Sequence, residues 1–177
     1  MLYSCTHMAT VGVKGLMSMV QVVCASHRRD VVDRAVDAGA DDAVFLPPES
    51  STSQQTDAIT MSGYNRMDVS FDLSGESASL SVAVRSLHRG GTLFELANPR
   101  SVGVELVTVD EIVRRGVTLR PVLAGSLEQL HELVDVLAVQ RVSVDILVER
   151  CRPEQLETVL KQLYQRTTTG RIVVEYS

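Results

Sequence analysis

From residue 20 onward, hydrophobic and polar positions alternate between two periods. Val20 to Ala25 is a continuous apolar run, as expected of a strand buried on both faces. Residues 28–38 then place Val31, Val32, Ala35 and Ala38 on one helical face, with Gly39 as the stop. Ala43 to Leu46 is a short strand closed by Pro47 and Pro48, and the polar stretch ESSTSQQT after it reads as a surface loop, with room for a short helix beyond. Met67 to Leu73 is the next strand, ended by Ser74-Gly75. A helix over 76–88 follows, with Leu80, Val84 and Leu87 on one face, and Gly90-Gly91 turns the chain into the strand TLFELA.

The segment 101–116 gives no clear period, although VELVTV (104–109) is rich in β-formers. Val117 to Leu123 is a strand. Ser126 caps a helix, with Gln129 completing a capping box, and Leu127, Leu130, Leu133, Val134 and Leu137 line its apolar stripe. Val144 to Val148 reads as a strand, Pro153 as a first-turn residue, and Leu156, Val159, Leu160, Leu163 and Tyr164 as a second helical stripe before the closing strand RIVVEY. Repeated β-α units with short loops predict an α/β fold, a mostly parallel sheet with helices on both faces.

Composition narrows this little. The chain has 177 residues, 45% hydrophobic and 22% charged, as in an ordinary globular domain. A net charge of -5 and the absence of Trp argue against a nucleic-acid surface, so any anion site must be local. Cys5, Cys24 and Cys151 form no CxxC pair, which points to a reducing, cytoplasmic compartment. Lys14 to Ser26 only faintly imitates a signal peptide, since Gln21 interrupts its apolar run. No run reaches the ~18 apolar residues of a membrane span.

One corner of this pattern carries charge. In QVVCASHRRD a strand passes into a helix through Ser26, His27, Arg28 and Arg29, at the helix end where anions rather than cations favour stability. An anionic ligand would resolve the conflict. A solvated basic turn compensated by Asp30 would also do so.

The order of these segments resembles the medium-chain dehydrogenase/reductase family, the zinc-type alcohol and sorbitol dehydrogenases. QVVCASHRRDVVDRAVDAGADDAVF is similar to the family's second βα unit, with its Gly39-Ala40-Asp41 turn. MDVSFDLSGESASLSVAVRSLHRGGTLFELA is similar to the next block, VTLRPVLAGSLEQLHELVDVLA to the following strand and helix, and VSVDILVERCRPEQLETVLKQLYQRTTTGRIVVEYS to the family's C-terminus. The resemblance implies a Rossmann-like fold and a division into three parts. These are an atypical N-terminal remnant (1–20), a truncated dinucleotide-binding domain (20–143), and a segment (144–177) that in the family returns to the catalytic domain.

The family's glycine fingerprint would fall near residues 2–7, which read LYSCTH and contain no glycine. Such glycines let the backbone approach a pyrophosphate. The first βα unit is therefore expected to be missing or replaced. MATVGVKG supplies either a substitute strand or what remains of the first helix, and both readings stay open.

By the same resemblance the position of the family's ribose-binding acid is Ser26. A small residue followed by arginines suits a 2′-phosphate, which implies NADP(H), with Ser26, His27, Arg28 and Arg29 at the phosphate. Ser74 and Gly75, Leu96 and Ala97, and Ala124 and Gly125 would line the cofactor edge at the ends of three further strands. No catalytic residue is assigned. His7, His27, His88 and His131 lack metal-ligand spacing, so zinc binding by this chain is not expected. Asp68 and Asp72 read as strand-edge residues rather than an acid-base pair.

Two functions follow. The first is an alcohol dehydrogenase-like oxidoreductase interconverting alcohols or polyols and ketones with NADP(H), truncated and of doubtful activity alone. The second is a non-catalytic remnant serving as an association module. A homodimer through a sheet edge at 104–109 is implied by the family, and neither nucleic acid nor membrane is an expected partner.

Overall fold

Strand β1 (Val23–Ser26) is buried at every position and is the clearest consequence of the apolar run. Its alternation sorts side chains to two sides. Val23 and Ala25 join Leu46, Ile59 and Val82 in one core cluster, whereas Cys24 packs with Ala35 and Ala40 in another. Helices therefore cover both faces of β1, with α1 (Arg29–Ala35) on the Cys24 side and α2 (Thr52–Met61) and α3 (Ser77–Ser86) on the other. Burying Cys24 among these side chains raises its thiol pKa to about 11.

The computed structural model describes residues 21–61, 66–97, 107–140, 148–165, 167–168 and 170–176. They fall into two compact units, the larger within Ser4–Val142 and the smaller within Ser143–Ser177. In the larger unit β1 pairs in parallel with β2 (Asp42–Phe45), from Val23 opposite Asp42 to Ser26 opposite Phe45. A second parallel ladder runs in the order β3 (Met67–Asp72), β4 (Leu87–Glu95), β5 (Thr118–Pro121). Among the described residues no ladder joins β1 to β3. Ile59 of α2 and Val82 of α3 hold the two ladders together, packing with Val23 and Ala25 of β1 and with Met67 of β3. A further cluster of Ala83, Val84, Leu87, Leu93 and Val117 seats α3 on β4. The architecture is thus a Rossmann-like α/β fold with mostly parallel strands. The stretch MATVGVKG and the residues 2–7 lie outside the described residues.

The smaller unit pairs β6 (Val148–Cys151) in parallel with β7 (Arg171–Val174), joined by a 3₁₀ turn (Pro153–Gln155) and α6 (Leu156–Gln165). Gln155 Oε1 accepts from the Arg152 N–H at 2.9 Å, so the helix entry is capped as Pro153 predicts.

Several expectations are corrected. ESSTSQQT is not a loop. It contains Thr52 and enters α2 directly, because Ser51 and Gln54 form a reciprocal capping pair, with Ser51 N–H to Gln54 Oε1 at 2.9 Å and Gln54 N–H to Ser51 Oγ at 3.3 Å. Of VELVTV, residues 104–106 lie outside the described residues. Thr108 caps α4 (Val109–Arg115), accepting from the Glu111 N–H at 3.1 Å, so local capping overrides β-propensity and the described part offers no strand edge. The strand expected over 144–148 is described only from Val148 and runs on to Cys151. Ser126 and Gln129 do cap α5 (Leu127–Gln140), with bonds of 2.8 and 3.1 Å. Its apolar stripe is nevertheless open, with Leu127 at 69% and Leu130 at 53% exposure, because an amphipathic face records what a helix can bury, not what is placed against it. In α6 Val159 is buried while Leu160 and Tyr164 are exposed.

Candidate functional site at the strand ends

Ligands of open parallel sheets sit outside the carboxyl ends of the strands. All the residues expected to meet a cofactor lie at such ends, in two groups. One follows β1. The other spans the ends of β3, β4 and β5, tied together by the Leu96 N–H to Asp72 O bond at 3.0 Å and the Val122 N–H to Glu95 O bond at 2.8 Å.

At the β1 corner Ser26 is fully buried, and its Oγ accepts the Arg28 N–H at 3.0 Å. The hydroxyl thus shapes the turn. Arg28 reaches forward to Asp30 in a two-point pair, with Nε to Oδ1 at 3.0 Å and Nη2 to Oδ2 at 2.6 Å. That hydrogen bond is the main reason the Asp30 carboxyl is held below its ordinary pKa, with Arg34 adding to the effect. Arg29 is exposed, and its guanidinium lies 4.1 Å from the centre of the Phe45 ring. His27 is half-buried beside them. The helix start that looked electrostatically wrong is therefore locally compensated: Asp30 in the first turn answers Arg28, and the aromatic face holds Arg29.

The second group contains chemistry that the sequence did not announce. Ser74 and Gly75 are buried, and Ser74 caps the Asp72 side chain rather than facing outward. Asp72 Oδ1 accepts from the Ser74 N–H at 2.8 Å and the Ser74 hydroxyl at 2.9 Å, and Oδ2 from the Ser79 hydroxyl at 3.1 Å. Ser74 and Ser79 also share a short hydroxyl contact, and the Glu76 N–H donates to Ser74 Oγ at 3.1 Å. Asp72, read above as a strand-edge residue, is fully buried, because β3 is covered on that face by α3, which carries Ser79.

Register then sets Glu95 directly opposite Asp72. Burial, followed by the neighbouring Asp72, pushes the Glu95 carboxyl up to about 7, against the single lowering contribution of the Ala97 N–H, which donates to Oε1 at 3.2 Å. Asp72 is raised too, by burial first, with its serine donors opposing. Glu95 Oε2 is buried with no hydrogen-bond partner among the described residues. The opposite face of the same strands carries Phe71 stacked on Phe94 at 5.0 Å, with Arg120 over Phe94.

Sequence reasoning placed Leu96 and Ala97 at this edge and missed the Asp72–Glu95 pair. The available signal was Glu95 itself, an acid inside the otherwise apolar strand TLFELA, where a buried parallel strand tolerates charge poorly. Ala124 and Gly125 follow β5 and are exposed, and Ala124 holds a left-handed backbone with φ 54° immediately before the α5 cap. Among the described residues no three His, Cys, Asp or Glu side chains group as a metal ion would require. No helix among them is long and apolar enough to cross a membrane.

Parallel ladders alternating with helices define the class: a Rossmann-like α/β domain, the fold of dinucleotide-binding proteins. Residues 7–139 match the family described as zinc-binding dehydrogenase, and the chain belongs to that family. An alcohol dehydrogenase of Moraxella sp. (strain TAE123) is 30% identical over 95 residues, covering 54% of this chain and 27% of the relative. The alcohol dehydrogenase of the hyperthermophilic archaeon Aeropyrum pernix superposes with a TM-score of 0.72 at 23% identity, over 99% of this chain and 52% of that one. A mycobacterial structure solved with NADPH gives 0.69 at 20% identity, over 89% of this chain and 49% of its own. The chain thus spans about a quarter of the curated relative and about half of these solved structures.

Proposed function

We propose that this chain is the dinucleotide-binding part of an alcohol dehydrogenase-like oxidoreductase and takes NADP(H), with Ser26 to Arg29 at the adenosine end and the ends of β3, β4 and β5 along the rest of the cofactor. The observation that carries the reading is membership of the dehydrogenase family combined with a serine, followed by two arginines, at the end of β1. Glu95 Oε2, buried with no hydrogen-bond partner among the described residues, supports it, since a ribose hydroxyl can donate to the ionised carboxyl or accept from the protonated one. When bound, the cofactor would supply the hydride chemistry. This chain's residues would bind and orient it.

The same reading divides the chain near residue 143 into a cofactor domain and a C-terminal segment that completes a catalytic domain. It also places the protein in the reducing cytoplasm, which the buried thiols Cys24 and Cys151 support. Thermal shift with 2 cofactors tests the reading: millimolar NADPH should raise the melting temperature by several degrees and NADH by less, since ligand at ~100 times its Kd stabilises by about 2.7 kcal/mol. No shift with either nucleotide overturns it.

One observation favours a second reading, a non-catalytic association module: the open apolar stripe of Leu127, Leu130, Leu133 and Val134 on α5. Turnover of a simple alcohol or ketone by the purified chain with NADP(H) would count against it.

A further inference from the structure

At the opposite ends of the same strands lies a cavity of about 520 Å³ lined by Arg66, Arg85, Arg89 and Arg115 with Ser53, Thr56 and Asp57. Four separate elements bring the guanidiniums there. Arg66 immediately precedes β3, Arg85 is in the last turn of α3, Arg89 is near the start of β4, and Arg115 ends α4. In a chain of net charge -5, four arginines about one space are a local reversal of sign.

Ordinary structural roles account for part of this. Arg66 Nη1 donates to the carbonyl of Arg85 at 2.6 Å, and Arg115 Nη2 to the same carbonyl at 3.1 Å and to that of Leu87. Both therefore satisfy carbonyls at the end of α3, where a helix welcomes cations. Arg85 Nε meets Glu111 Oε1 at 3.1 Å, with Arg115 Nη1 at 3.9 Å from the same oxygen.

One glutamate thus serves two arginines, and among the described residues neither Arg66 nor Arg89 has an ion-pair partner. Asp57, the one acidic residue lining the cavity, pairs with none of the four. Each guanidinium has five N–H donors in a planar fork, so most remain unspent after the helix end is capped. Arg115 is the most enclosed of the set, and burial, then Arg66, then Arg85 and Arg89 disfavour its charge, with Glu111 opposing. An anion in the cavity would offset the repulsion among the four guanidiniums.

We propose that this cavity is an anion site for a di- or triphosphate group, held by Arg66, Arg85, Arg89 and Arg115. The space falls in the range of small-ligand pockets, roughly 300–1,000 Å³, and exceeds what one phosphate fills. Planar guanidiniums match phosphate oxygens two at a time. Ser53 and Thr56 of α2 complete the lining, their hydroxyls engaged within the helix by Ser51 Oγ at 3.0 Å and the Thr52 carbonyl at 2.8 Å, so the arginines carry the binding. The site does not depend on the cofactor reading above, because it sits at the amino ends of β3, β4 and β5 and not at their carboxyl ends.

Calorimetric titration of the whole chain with sodium tripolyphosphate and with inorganic phosphate tests this. One equivalent of tripolyphosphate should bind, at least tenfold tighter than phosphate. Arg89→Gln and Arg66→Gln should each weaken it fivefold or more, whereas Arg114→Gln, the same charge change on the exposed side of α4, should not. Arg89 is exposed, so its variant tests binding without endangering the fold. Three results would overturn the proposal: no binding at millimolar concentration, equal affinity for phosphate, or an affinity unmoved by both cavity variants. Displacement by NADPH would overturn the placement.

Discussion

Asp72 and Glu95 stand opposite one another at the carboxyl ends of β3 and β4, and the geometry gives them one proton to share near neutral pH. Two serines and a backbone N–H donate to Asp72, whereas Glu95 Oε2 has no hydrogen-bond partner among the described residues. Protonated, that oxygen can donate toward Asp72. Ionised, it adds a second buried negative charge.

The consequence for stability has a definite sign. A carboxyl whose folded pKa is raised from 4.5 to about 7 binds more protons folded than unfolded between those values, so stability falls as pH rises through that window. The loss should be on the order of 1–2 kcal/mol once solvent screening of this half-buried group is allowed for. Glu95→Gln removes the charge and keeps the shape. Its melting temperature should exceed the parent's at pH 8 by about 2–6 °C and converge with it near pH 5. Parallel melting curves for the two proteins at every pH would refute the shared proton.

Two adjacent glycines make an internal comparison. Gly90 has φ 83° and open space around a would-be Cβ, whereas a Cβ at Gly91 would lie 3.1 Å from both the Asp68 carbonyl oxygen and Leu87 Cβ. They occupy the irregular stretch where the β3–β4 register shifts between Met67 and Val69. Gly90→Ala should cost only the left-handed backbone strain, roughly 1–2 kcal/mol. Gly91→Ala forces the backbone of β3 away and should cost more, about 2–3 kcal/mol. Chemical denaturation of both variants measures the difference, and a smaller loss for Gly91→Ala would refute the close approach.

What could be read from the sequence divides along a physical line. Local signals spoke clearly: the apolar run ending in β1, the Ser126–Gln129 cap, and Pro153 at the α6 entry all depend on neighbours within four residues. The same cap at Ser51–Gln54 was present but masked by its polar surroundings, since α2 buries little beyond Thr56 and Ile59. Lateral relationships were silent. Asp72 meets Glu95, and Arg66 meets Arg115, only because parallel register and helix packing bring together positions tens of residues apart. At Arg28 the local alternative, compensation by Asp30 two residues away, is the pairing the structure shows, whereas the Phe45 ring beside Arg29 is a lateral contact.

The α2 cap can be tested directly. Ser51→Ala removes the oxygen that accepts the Gln54 N–H and should destabilise the chain by about 1 kcal/mol. Ile59→Ala, in the same helix, empties the side chain that joins the two ladders and should cost about 3–4 kcal/mol. Equal losses in equilibrium unfolding would mean that α2 is held by its cap rather than by its core contact.

The Arg28–Asp30 pair decides what the β1 corner has left for a ligand. Guanidinium contacts at 3.0 and 2.6 Å go to one carboxylate, so a 2′-phosphate would have to compete with Asp30 for Arg28. Asp30→Asn removes the competitor's charge and leaves the turn, which Ser26 holds through the Arg28 N–H, intact. NADPH affinity should then rise about fivefold, equivalent to roughly 1 kcal/mol, with NADH affinity little changed. Protonating Asp30 takes a pH below the ordinary carboxylate range, because pairing holds its pKa down. The pair's own contribution to stability is present above that range and is lost as pH falls through the lowered pKa. With both side chains partly exposed, that contribution stays under about 1 kcal/mol. Fluorescence titration of the variant with both nucleotides reads the outcome. An unchanged NADPH affinity would mean that Arg28 plays no part in phosphate recognition, leaving Arg29, poised over Phe45, as the remaining arginine of the corner.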